Sequence, residues 1–156
     1  MNPLLDYLHQ TGLRYDPSAF TPLCRSFLNA SAEQKTEFSS KLKGMPYRAF
    51  LKTAYWGIVC GWKLYGNPRV ERPICRRCKS PYFLNVHHEN YEIHGDEHRN
   101  LDKLDILCRD CHEAAHGLAS IEKLVEIQKR REHGTIAGPH RLTDKQRAEK
   151  IRRFGA

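Results

Sequence analysis

Six cysteines and nine histidines are the residues of this 156-residue chain best able to hold a metal or move a proton. Four of the cysteines form two pairs, Cys75-Arg76-Arg77-Cys78 and Cys108-Arg109-Asp110-Cys111. A CxxC turn sets two sulfurs on one side of a tight bend. Two such turns supply four thiolates, the set that holds a tetrahedral zinc at about 2.3 Å. The 29 residues between Cys78 and Cys108 leave room for a hairpin and a loop, whose ends the metal would tie together. In a chain without a secretion signal, this pairing reads as a metal site rather than a disulfide framework. Cys24 and Cys60 stand apart among apolar residues of predicted helices and read as ordinary buried thiols.

The histidines form a second constellation. His87-His88 directly follows the apolar run Tyr82 to Val86. Successive residues of a strand face opposite ways, so the two rings should have different neighbours and different tasks. His112 and His116 are four apart on a predicted helix, share a face, and can grip one metal. Folding the strand against that helix brings one of the paired histidines to them. The other is left as a base, a task suited to an imidazole with pKa near ~6.5.

Several elements must position these groups. Leu4, Leu5 and Leu8 predict a short helix stopped near Gly12. Asp16-Pro17 predicts a helix start, with Phe20, Leu23, Phe27 and Leu28 following. Ser31-Ala32-Glu33-Gln34 has the form of a capping box for a helix ending by Gly44. One longer helix is expected from Tyr47 to Tyr65, its face formed by Phe50, Leu51, Ala54, Tyr55, Ile58, Val59 and Trp62. After the break at Gly66-Asn67-Pro68, a strand is expected over Tyr82–Val86, a second over Leu104–Leu107, and a helix over Cys108–Leu118. Ser120 caps a further helix ending at Gly134. Thr143 to Gln146 looks like another capping box, before a basic helix carrying Arg147, Lys150, Arg152 and Arg153. The expected domains are a helical region over 1–66, a zinc-stapled module over 67–119 and a basic helical tail over 120–156.

The net charge of +8 favours a polyanionic partner, because Lys and Arg attract phosphates and release counterions. Hydrophobic residues make up 40% and charged residues 28%, as in a folded chain with a wet surface. No apolar run is long enough to span a membrane. The N-terminus lacks the pattern of a signal peptide, so the cytoplasm is the expected location.

Residues 75 to 116 resemble the HNH endonuclease family in its zinc-ribbon form. The matching features are Cys75-x-x-Cys78, Asn85-Val86-His87-His88, Tyr91, Gly95-Asp96-Glu97 and Leu107-Cys108-Arg-Asp-Cys111-His112-Glu-Ala-Ala-His116. Tyr47 to Trp56 is similar to the helix that precedes this module in many members, so the likeness runs over residues 47 to 116. The resemblance implies an α+β chain: a small ββα-metal module stapled by a four-cysteine zinc site, with helical extensions at both ends. It implies His87, His112 and His116 as ligands of a catalytic divalent ion, Mg²⁺ or another, with His88 as general base. Arg76, Arg77, Arg99 and Arg109 would hold flanking phosphates. The family's middle Asn is Lys103 here, with Asn100, Asp102 and Asp105 nearby as substitutes.

The expected activity is hydrolysis of a phosphodiester bond, in DNA first and RNA second. One such site makes one cut, so a homodimer or a larger protein complex is an expected form. The competing reading is a non-catalytic zinc module that binds nucleic acid or scaffolds a particle. It accounts for the cysteines and the charge but not for four histidines in this spacing.

Overall fold

The structure, a computed structural model, describes residues 1–10, 17–69 and 72–133. They divide into two compact units. Unit 1 joins Met1–Asn67 to His88–Leu104, and unit 2 joins Pro68–His87 to the chain from Asp105 onward.

Unit 1 is helical. It contains α1 (Asp6–His9), a 3₁₀ turn (Pro17–Ala19), α2 (Phe20–Asn29), α3 (Ala32–Gly44), α4 (Tyr47–Phe50) and α5 (Ala54–Tyr65). Asp16, the expected cap, lies outside the described residues; Pro17 opens the 3₁₀ turn and α2 proper starts at Phe20. Ser31 and Gln34 do form a capping box, each side chain meeting the other's backbone N–H. The single helix expected over 47–65 is two helices. Thr53 ends the first by donating its hydroxyl to the Phe50 carbonyl at 2.7 Å, and caps the second by accepting the Trp56 N–H at 3.1 Å. The break leaves Leu51 exposed, while Phe50, Tyr55, Ile58 and Val59 are buried with Leu4, Leu23, Phe38 and Leu42.

The loop 88–104 belongs to this unit. Gly95 sits at φ +86, and a Cβ there would press on the Ser39 carbonyl and the Lys43 side chain at 3.1 Å. Only glycine suits both demands. Two 3₁₀ turns, Glu97–Arg99 and Leu101–Lys103, follow. The Asn100 amide donates to the Asp96 carbonyl at 2.9 Å, and the Lys63 ammonium donates to the Leu101 carbonyl at 2.7 Å.

His98 of the same loop packs edge-on to Phe27 and Phe38. Its Nδ1 lies 3.0 Å from the Tyr55 hydroxyl, while its Nε2 is buried without a hydrogen-bond partner. Burial holds its pKa down at about 4, against an ordinary 6.5. The unfolded chain therefore binds a proton that the folded chain refuses between those values. Stability should fall as pH drops from about 6.5 to about 4, with a ceiling of about 3 kcal/mol and about 2 kcal/mol already lost at pH 5. His98→Phe should be weaker at pH 7 but flatter with pH in urea unfolding. Equal pH slopes for variant and wild type would contradict this account.

Unit 2 contains most of a two-stranded antiparallel sheet, β1 (Leu84–His88) with β2 (Leu104–Cys108), followed by α6 (Arg109–Ala115) and α7 (Ile121–His133). β1 starts two residues later than expected because Phe83 takes a left-handed φ of 50. Its carbonyl instead accepts the Arg109 N–H at 3.0 Å. Ser120 accepts the Lys123 N–H at the start of α7. Arg130 pairs with Asp110 at 2.7 Å, and Ile127 enters the unit's core. The capping box at Thr143 and the basic helix after it lie outside the described residues.

Candidate metal centre

The core of unit 2 is made mainly of sulfur. Cys75, Cys78, Cys108 and Cys111 are all buried, together with Leu107 and Ile127. The first pair sits in a tight turn: the Lys79 N–H donates to the Cys75 carbonyl at 2.9 Å and the Cys75 N–H to the Ser80 carbonyl at 2.8 Å. Lys79 adopts φ 62 to close that turn. The Arg76 N–H donates to the Ile106 carbonyl at 2.8 Å and so ties the turn to β2. The second pair lies at the end of β2 and on α6, with Cys108 as the residue just before the helix that carries Cys111.

The four sulfurs lie within 4.8 Å of one another. Cys78 and Cys108 are 3.5 Å apart, far beyond a disulfide bond and close to the roughly 3.8 Å edge of a Zn–S tetrahedron. The Cys78 N–H also points at the Cys75 sulfur, 3.5 Å away. Hydrogen bonds from the Cys108 and Cys78 thiols draw Cys75 well below the usual thiol range. Burial, with the charges of Cys108 and Cys75, pushes Cys111 up to about 12. Four thiolates this close repel one another in a buried site, and a dication removes that penalty. The cluster fits a zinc ion.

A second group in unit 2 joins β1 to α6. His87, His112 and His116 each bring one ring nitrogen within 4.8 Å of the others. Their ring centroids are 4.7 to 5.1 Å apart. Burial, then the rings of His112 and His116, hold His87 down at about 4. Burial and His116 also lower His112. Neutral rings with free lone pairs are the form that ligates a metal. This donor set therefore fits a divalent ion as well.

His88 faces the other way from β1, into unit 1, and is 3% exposed. Its ring stacks on Trp56 (4.9 Å, 15° between planes) and on Tyr91 (5.6 Å, 23°). Its Nε2 is 3.1 Å from Glu97 Oε1. The same oxygen meets His94 Nδ1 at 3.2 Å, while Oε2 accepts from Tyr55 at 2.9 Å and from the Gly95 N–H at 3.0 Å. Burial works to raise the Glu97 pKa, but the hydrogen bonds, led by that from His88, leave it below the usual carboxylate range. Burial and the Glu97 charge push Tyr55 up, so it stays a donor. His88, His94 and Glu97 also lie close enough to hold a metal. In the structure Glu97 instead accepts hydrogen bonds from one nitrogen of each ring.

The sequence singled out His88 but not the surroundings that define its state. Glu97 and Tyr55 were visible only as parts of a loop pattern and a helix face. Arg76 pairs with Asp105, Arg109 lies over Phe83 and the Arg77 carbonyl accepts from Arg131, all in unit 2. Arg99 lies over Phe27 in unit 1.

Together these features define a mixed chain of helices and a small two-stranded sheet, with a buried cysteine cluster that could hold zinc. Compared with protein-family models, curated proteins and solved structures, the chain matches none of them. Among the described residues no helix is long and apolar enough to cross a membrane.

Proposed function

We propose that this chain is a metal-dependent endonuclease of the HNH type, with DNA as first substrate and RNA as second. The supporting observation is the convergence of His87 from β1, His112 from α6 and His116 from the end of that helix. A zinc-stapled module does not need these histidines to fold. A divalent ion held by the three rings would supply positive charge to the phosphate as negative charge builds on it. His88, the next residue of β1, takes a proton from water. The resulting hydroxide attacks phosphorus, the P–O3′ bond breaks, and the departing oxygen is protonated by solvent. The products are a 3′-hydroxyl and a 5′-phosphate, and the His88 proton returns to water. The net charge of +8 would draw the polyanion to the site.

The burial of His88 favours a second reading, a zinc module that binds nucleic acid without cutting it. Incubation with supercoiled plasmid and Mg²⁺, Mn²⁺ or Ni²⁺ separates the two. Wild type should produce nicked circles, and His112→Ala should lose cutting by at least about 100-fold while retaining the cysteine-bound zinc. If zinc-loaded protein cuts neither DNA nor RNA with any of these ions, the nuclease reading fails.

A further inference from the structure

Glu97 is a fully buried carboxylate that the proposed chemistry leaves without a task. Four donors converge on it: His88 and His94 on Oε1, Tyr55 and the Gly95 N–H on Oε2. That set matches the acceptor capacity of one ionised carboxylate and gives it no freedom to rotate. Tyr55 comes from α5 and Gly95 from the turn against α3; both hold Oε2, which fixes the carboxylate with Oε1 toward His88. An ionised carboxylate cannot donate. His88 must therefore carry its proton on Nε2, and a neutral imidazole with that proton has its lone pair on Nδ1.

We propose that Glu97 is a positioning residue for the base: it selects the Nε2–H form of His88 and aims Nδ1 as the atom that takes the proton from water. Trp56 and Tyr91, both stacked on the ring, restrict its rotation. A carboxylate that holds one tautomer of a base can be worth orders of magnitude in rate without touching substrate. This inference rests on the nuclease reading of His88.

The test has two readouts on the full zinc-loaded chain. Nitrogen-15 NMR of the wild-type imidazoles should show His88 protonated at Nε2 and bare at Nδ1, a result that depends on no variant folding. Glu97→Gln presents an amide that can turn its NH₂ toward His88 and stabilise the opposite tautomer. It should lower kcat on plasmid or oligonucleotide DNA by about 100-fold or more, with KM within about threefold. Tyr55→Phe, a gentler change, should give a smaller loss in kcat and a mixed tautomer signal. A wild-type His88 protonated at Nδ1 overturns the positioning role and leaves the nuclease reading standing. So does a folded Glu97→Gln that cuts at the wild-type rate while His88→Ala does not, or a metal ion bound by His88, His94 and Glu97. Zinc-loaded wild type that cuts neither DNA nor RNA overturns the nuclease reading itself, and the role of Glu97 in proton transfer with it.

Discussion

Cys108→Ser is expected to abolish zinc binding and unfold unit 2. Among the described residues, the buried cluster of that unit holds four cysteines with Leu107 and Ile127, and Leu84, Ala114 and Ala115 pack against it partly buried. Burying Leu107 and Ile127 contributes about 2 kcal/mol each, while ordering a residue costs about 1–2 kcal/mol in backbone entropy alone. Two buried aliphatic side chains and a few partly buried ones are too little to hold β1, β2, α6 and α7 together. A structural zinc in small modules supplies on the order of 10 kcal/mol or more at neutral pH. Elemental analysis should find one tightly held zinc per wild-type chain and none in Cys108→Ser. Amide exchange should lose protection in β2 and α6 but keep it around Leu23, Phe38 and Val59. Retained protection across β2 and α6 in a zinc-free variant would refute the structural role. A chelator should reproduce the loss, and re-added zinc should reverse it for wild type only.

His88→Ala is expected to lower the cutting rate by about 10²- to 10⁴-fold, the range ascribed to a positioned general base. The substitution also has a structural cost. It leaves a gap beside Trp56 and Tyr91 and removes one donor from Glu97, together about 2–3 kcal/mol. Rates must therefore be compared where melting curves show both proteins folded. Zinc content should be unchanged, because the cysteine cluster lies in unit 2 and His88 faces unit 1. A folded His88→Ala that nicks plasmid as fast as wild type would remove His88 from the mechanism.

Local pattern carried far for groups close in sequence or set by a repeat. The spacing of the two CxxC pairs was enough to expect the four-sulfur cluster. His112 on α6 and His116 at its C-terminal end come together through local helix spacing, although α6 stops at Ala115, short of the expected Leu118. Ser31 and Gln34 cap α3 through bonds spanning three residues. The opposite faces of His87 and His88 follow from the pleat of a strand. Such features depend on backbone geometry that each segment carries with it.

Tertiary structure decided what depends on distant partners. The helical periodicity of Tyr47 to Tyr65 runs unbroken, yet Thr53 divides it, because a hydroxyl that can cap competes with the helix. Phe83 was expected in β1, and its left-handed φ instead serves a bond to the distant Arg109. The state of His88 lay furthest from view. Tyr55 and Glu97 are 42 residues apart, and neither carries a local mark of meeting the other. Cysteines and histidines announce themselves by type and spacing, because a metal needs several identical donors. A carboxylate that orients a base is one Glu among many, and only the fold shows which one is buried beside it.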